Sequence, residues 1–352
     1  MSPIRDARAL DALASALGES AERDVMLRAF TTFRIGGPVD VLVRAHTVSD
    51  LARVRAAIDG LGPGPLEVLV VGQGSNLLIG DDGIRGLVVV LTGEFETITI
   101  GATAGGSDTV TAGGAVKLPV LARQTVAAGL RGLEWMVGVP GSVGGAVRMN
   151  AGGHGSDLAS GLRSASLFAL QGGPAAAPSG LRTVASAALA LRYRSSSVAS
   201  TDVVVDATFA LEPGDRGAGE QELSEIVRWR RSHQPGGANC GSVFTNPPND
   251  SAGRLIDAAG LKGLRVGTAE VSHKHANFIQ ADDGASAADV WNLIAEVRRR
   301  VHDAFGVVLH PEVRTAGFAA RLDPLTAETT LPSAFSDAAP ATSDFPPRGA
   351  ST

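Results

Sequence analysis

Near the start of the chain the spacing of hydrophobic positions changes from strand to helix and back. Residues 39–44 read as a strand, residues 49–61 carry Leu51, Val54 and Ile58 at helical spacing, and residues 67–71 return to a β-branched run. The pattern predicts a small β-α-β unit that runs directly into Gly72-Gln-Gly-Ser-Asn76 and a further strand-like run at 86–91. The middle of the chain predicts short strands at 97–100, 164–170 and 203–211 and one clear helix at 118–129. The last part opens with a helix at 221–232, with Leu223, Ile226 and Trp229 in three-residue steps. It closes with a helix beginning at Ser286, where Ser286 and Asp289 form a capping pattern ahead of the stripe Val290, Leu293, Ile294, Val297 and Val301, and Gly306 stands just past the end. A strand at 307–314 is expected after it.

These elements divide into a helical extension (1–24), two consecutive α+β units (25–93 and 94–216) and a C-terminal α+β unit (217–318). From Ala319 the sequence turns to Pro, Ala, Ser and Thr with no periodicity, so 319–352 is expected to be a disordered tail.

Composition narrows the function. At 352 residues and 44% hydrophobic content the chain can bury a sizeable core. Its 36 acidic and 31 basic residues give a net charge of −5 with no dense basic tract, which argues against nucleic acid as a partner. No apolar run approaches the ~20 residues that cross a bilayer, so no membrane insertion is expected. The N-terminus lacks the uninterrupted apolar centre of a secretory signal, and Cys240 is the single cysteine, so a cytoplasmic protein without an intrachain disulfide is expected. His154 and His273 lack ligand spacing with other His, Cys or acidic residues, and no metal is expected.

Two glycine-rich segments, Gly72 to Asn76 and Gly138 to Gly145, suit close approach of backbone N–H groups to an anion such as a pyrophosphate. Neither has the third glycine of the Rossmann fingerprint on schedule, so a dinucleotide site of another architecture is implied. The glycine-rich stretch 138–155 is too long for a simple turn and reads as a functional loop. Three further residues carry chemistry: Arg194 can stabilise developing negative charge, Ser242 can give a proton, and Glu312 can assist as a general acid. Spacing alone does not make them a triad; each also reads as an ordinary surface charge, turn residue or strand residue.

Taken in order, TTFRIGG (from Thr31), GQGSN, GVPGSVGG, MNAGGHG (from Met149), YRSS, GSVFTNP, HANF (from His275) and HPEVR resemble the UDP-N-acetylenolpyruvoylglucosamine reductase (MurB) family over residues 31–317. The resemblance implies an α+β fold: a two-part FAD-binding region of the vanillyl-alcohol-oxidase (PCMH) type, then a C-terminal substrate domain. It implies a cytoplasmic, monomeric FAD enzyme of peptidoglycan synthesis that takes hydride from NADPH onto non-covalently held FAD and passes it to UDP-N-acetylglucosamine enolpyruvate. Arg194 and Glu312 match the residues that stabilise the charge formed on the substrate, and Ser242 matches the serine that protonates its carbon. Gly72, Gly74, Ser75, Asn76, Pro140, Gly141, Ser142, Gly144, Gly145 and Arg314 are expected at the cofactor; His233 and Asn246 are expected at the substrate, as are His275 and Asn277, for which structural hydrogen bonding is an equal alternative. The single tyrosine, Tyr193, belongs to the YR motif, so the chain resembles the branch without a substrate-capping tyrosine loop. His233 and Thr245 stand where family members commonly carry lysine, which weakens or makes pH dependent the expected grip on a diphosphate.

Overall fold

The computed structural model describes residues 7–62, 66–102, 108–171 and 180–318; the expected tail at 319–352 lies outside the described residues. The first unit is a four-stranded sheet in the order Ala21–Met26, Pro38–Ala45, Ile84–Leu91, Glu67–Val71, antiparallel at its first pair and parallel across the others. Val48–Gly60 is the crossover helix of the expected β-α-β unit, and it begins at a capping box closed by Thr47 and Asp50. Together with the N-terminal helix Ala7–Leu17 it covers one face of the sheet, where Leu10, Leu13, Leu51 and Val54 pack on Val41, Val43, Leu87 and Val89. The N-terminal helix is therefore part of this unit's core.

The second unit is antiparallel, with strands in the order Leu181–Ala185, Leu162–Ala169, Asp202–Pro213, Asp108–Gly113, Ile98–Ala102. Helices Leu118–Ala127 and Val143–Met149 pack on it around the fully buried Trp135. Leu223 and Ile226 of the long helix Arg216–His233 enter this same core. By contact that helix belongs to the middle unit, although its sequence position groups it with the C-terminal one.

The glycine-rich stretch 138–155 is not a continuous loop. It contains the two-turn helix Val143–Met149 and a small hairpin, Gly152–Gly153 with Ser156–Asp157. Gly144 and Gly145 are weak helix formers, which hides the helix in the sequence. It forms because Ser142 accepts a hydrogen bond from Gly145 N at 3.4 Å and because Val143, Ala146 and Val147 are buried.

The third unit joins the antiparallel strands Arg265–Val266, Ala269–Val271 and Ile279–Ala281 to helices Ala252–Ala258 and Ala287–Phe305. Ser286 caps the last helix as expected, accepting from Asp289 N at 3.2 Å, and Gly306 ends it at φ 69°. The reciprocal half of the box is absent. Asp289 instead accepts from Thr268 N at 2.9 Å and Thr268 Oγ1 at 2.7 Å, while Asp81 of the first unit accepts from Ala287 N at 2.8 Å, Ala288 N at 3.1 Å and Ser286 Oγ at 3.2 Å. The strand expected at 307–314 is mostly irregular. Regular pairing begins only at Arg314–Ala316, which lies parallel to Leu77–Ile79 of the first unit, and Pro311 upstream makes a single bridge to Phe244. Proline has no N–H to extend a ladder there.

Candidate active site

The two glycine-rich segments face each other. Ser75 Oγ donates to Pro140 O at 2.9 Å, a Cβ added to Gly72 would lie 2.3 Å from Ser142 Oγ, and one added to Gly141 would lie 3.2 Å from Ser75 Oγ. Gly74 has φ +57°, and a Cβ there would sit 1.9 Å from Phe30 O, so only glycine lets the loop turn at this point. Gly144 lets its helix approach Gly114 O, which a Cβ would meet at 3.1 Å. Among the described residues, the backbone N–H groups of Gln73, Gly74, Ser75, Asn76, Gly141 and Ser142 donate to no protein acceptor. Unpaired N–H groups on two facing glycine-rich segments are the kind of donors that suit an anion such as a dinucleotide's diphosphate.

Asn76 carries this loop into the third unit. Its Nδ2 donates to Glu312 O at 3.1 Å, and its own carbonyl accepts from Arg314 N at 3.0 Å. On the other side, Glu312 N donates to Val243 O at 2.7 Å and Thr245 N donates to His310 O at 2.9 Å, which lays the Ser242 segment alongside Glu312. Ser242 follows Gly241 at φ 81°, is partly exposed, and its hydroxyl has no partner among the described residues.

Arg194 reaches Glu312 from the middle unit, with Nε 2.8 Å from Oε1 and side chains 24% and 14% exposed. The contact is an ion pair whose N–H is not aimed at the oxygen: Arg194 Nε is buried without a properly directed acceptor among the described residues. Burial pushes the Glu312 carboxyl above the usual carboxylate range, opposed by the charges of Arg194 and Arg314. Arg194 itself sits at φ 54° in a turn closed by reciprocal 3.0 Å bonds between Arg192 and Ser195. A non-glycine residue in that region is a costly conformation that persists where the surroundings impose it. Sequence spacing gave no triad; the fold brings Arg194 and Glu312 into contact and sets Ser242 on the adjoining segment.

The expected substrate residues divide. Asn246 Oδ1 accepts from Ala252 N at 3.0 Å, leaving Nδ2 without a partner among the described residues. His275 Nδ1 accepts from Asn277 N at 3.2 Å and its ring packs on Phe278 at 4.7 Å. His233 is exposed and stacked on Trp229 at 4.4 Å. Asn277 is only 2% exposed: its carboxamide accepts from Phe244 N at 3.0 Å and donates to Phe244 O at 2.8 Å. Both ends of that amide are engaged with the Phe244 backbone, two residues from Ser242, so Asn277 braces the serine segment. Cys240 is buried, and burial together with the Glu312 charge raises its thiol far above the range of a reactive thiolate.

A family model described as the FAD binding domain matches residues 39–171, the stretch that contains both glycine segments. A second, described as the UDP-N-acetylenolpyruvoylglucosamine reductase C-terminal domain, matches residues 233–316. The reductase 2 of Symbiobacterium thermophilum is 42% identical over 293 residues, covering 83% of this chain and 90% of that protein. The chain belongs to the UDP-N-acetylenolpyruvoylglucosamine reductase (MurB) family. The family's enzyme from Rubrobacter xylanophilus is 39% identical, covering 85% of this chain and 96% of its own length. The crystal structure of MurB from Thermus caldophilus superposes with a TM-score of 0.69 at 34% identity, covering 84% of this chain and 98% of that one. As a MurB-family flavoprotein, the chain has the expected two-part FAD-binding region and C-terminal α+β domain.

Sequence reasoning missed two asparagine roles that bear on this MurB-type site. Asn76 was assigned only to the cofactor, and its hold on the Glu312 backbone has no sequence signal. Asn150, a non-glycine residue at φ 40° and 3% exposed, was noted only as part of a glycine-rich loop. No helix among the described residues is long and apolar enough to cross a membrane.

Proposed function

We propose that this chain reduces the enolpyruvyl ether of UDP-N-acetylglucosamine enolpyruvate to the lactyl ether of UDP-N-acetylmuramate, with NADPH as hydride donor. The observation that carries the reading is the half-buried Arg194–Glu312 pair, held beside the Ser242 segment at the end of the glycine cradle. FAD, when bound, supplies the hydride transfer. The cradle residues Gly72, Gly74, Ser75, Asn76, Pro140, Gly141 and Ser142 offer the N–H groups and open backbone that suit its diphosphate, while Gly144 and Gly145 belong to the helix behind them. Arg314, which adds to the positive field at Glu312, is the side chain assigned to the cofactor's edge.

The substrate carries a carboxylate next to the carbon to be protonated. Arg194 is placed to balance the negative charge that builds on that carboxylate, and Glu312, its pKa raised by burial and opposed by Arg194 and Arg314, lies against the same guanidinium. Ser242 supplies the proton to the carbon; a hydroxyl is a poor acid in water, so the transfer needs water excluded from the site and a cation close by once the substrate is bound. Asn246 Nδ2, His275 and His233 are assigned to the nucleotide-sugar portion. The single buried cysteine suits the reducing cytoplasm.

Incubating the FAD-loaded protein with NADPH and the enol ether and weighing the product by mass spectrometry tests the reading. A gain of two hydrogens per substrate molecule is expected, and unchanged substrate alongside consumed NADPH contradicts it.

A further inference from the structure

The end of the glycine-rich helix is hydrogen-bonded to the turn that carries Arg194 at φ 54°. Asn150 caps the helix Val143–Met149 at φ 40°, ψ 59°, and its carboxamide is fully used: Nδ2 donates to Arg192 O and to Asp157 Oδ2, each at 3.1 Å, and Oδ1 accepts from Ala159 N at 3.1 Å. Two further ties bind the same segments. Ser196 Oγ donates to Arg148 O at 2.8 Å, and Arg148 Nη1 donates to Val198 O. The Asn150 bond lands two positions before the arginine and the Ser196 bond starts two positions after it. The Asn150 bond lands on the same Arg192 carbonyl that accepts from Ser195 N at 3.0 Å to close the turn.

We infer that Asn150 is a positioning residue for the second half of the reaction: through the Arg192 carbonyl it fixes the turn that aims Arg194 at Glu312. The inference rests on the catalytic reading of Arg194. The helix that Asn150 ends begins at Ser142, opposite Gly72, so one short helix spans from the cofactor cradle to the arginine turn. Without the carboxamide the Arg192 carbonyl loses its inward tether, and a turn with Arg194 at φ 54° has lower-energy alternatives to relax into. A displacement of about 1 Å at a reacting group can cost as much as 100-fold in rate.

Asn150→Gly is the sharpest variant, since glycine accepts the left-handed backbone and only the carboxamide is lost. Asn150→Asp, which keeps the shape but removes the donor, is read in the same way if the glycine variant does not fold. The measurement is rapid-mixing kinetics on FAD-loaded protein, recording reduction by NADPH and reoxidation by the enol ether separately, in the wild-type and Arg194→Met backgrounds. The inference predicts that the Asn150 variant slows reoxidation at least about tenfold more than it slows reduction, and that it adds nothing further once Arg194 is methionine. Equal slowing in both backgrounds, or no selective slowing of reoxidation, overturns the inference and leaves Arg194 its role. If Arg194→Met itself fails to slow reoxidation, the reading of Arg194 falls, and the inference with it.

Discussion

Asn76 and Glu312 lie 236 residues apart in the chain, yet the Asn76 carboxamide donates to the Glu312 carbonyl at 3.1 Å. The Asn76 carbonyl in turn accepts from Arg314 N at 3.0 Å, so one residue of the glycine-rich loop holds the backbone at two positions of the Glu312 segment. The parallel pairing of Leu77–Ile79 with Arg314–Ala316 continues that grip. One loop of the FAD-binding region thus forms a seam with the C-terminal domain and positions the Glu312 segment.

A second seam gives a stability prediction. Asp81 accepts hydrogen bonds from Ala287 N, Ala288 N and Ser286 Oγ and places a carboxylate at the N-terminus of the helix Ala287–Phe305. Asp81→Ala leaves donors of the first turn unpaired and removes a favourable charge from the helix end. Urea unfolding should show a loss of about 1–2 kcal/mol. An unchanged midpoint would mean that water replaces these bonds at no cost.

Asn277→Ala tests the brace behind Ser242. The substitution strands Phe244 N–H and C=O in a buried position, and leaving buried backbone groups unsatisfied costs about 1–3 kcal/mol. Turnover should fall while the Michaelis constant for the nucleotide substrate changes little, because the effect passes through Ser242. A rise in that constant with unchanged turnover would instead place Asn277 at the substrate.

His154 gives a pH dependence. Burial, with the charge of Arg230 adding to it, lowers its pKa from 6.5 to about 4, so the native state binds this proton less readily than the unfolded chain does. A depressed histidine contributes stability that is fully present above 6.5 and is lost progressively as pH falls toward 4. His154→Gln removes that contribution, and its melting temperature should fall less steeply than the wild type's across this window. Parallel curves for the two proteins would show that His154 is protonated equally in both states.

The sequence made the regular elements legible where periodicity was strong. Val290, Leu293, Ile294, Val297 and Val301 mark a buried helical stripe, and Ser286 and Gly306 close its ends. The helix Val143–Met149 was not legible, because its helical signal is a serine cap and tertiary burial while its composition is that of a loop. The expected strand at 307–314 failed because extended backbone was inferred from apolar residues whose partners are set by tertiary contacts with Val243 and Asn76. Motif wording identified Arg194, Ser242 and Glu312 as a set. Their placement depends on long-range hydrogen bonds from Asn76, Asn277 and Asn150, and a carboxamide that bonds to distant backbone leaves no periodic trace in the sequence.

The proposed action of Arg194, Ser242 and Glu312 on the enol ether, after the flavin has been reduced, is tested most directly by bleaching the flavin anaerobically with NADPH, adding the enol ether and following the return of colour in wild type and Ser242→Ala. The account predicts bleaching at matching rates in both proteins, rapid recovery of colour in the wild type, and recovery slowed by at least about 100-fold in Ser242→Ala, the scale of a lost acid catalyst. Recovery at the same rate in both proteins, or none in the wild type, would contradict it.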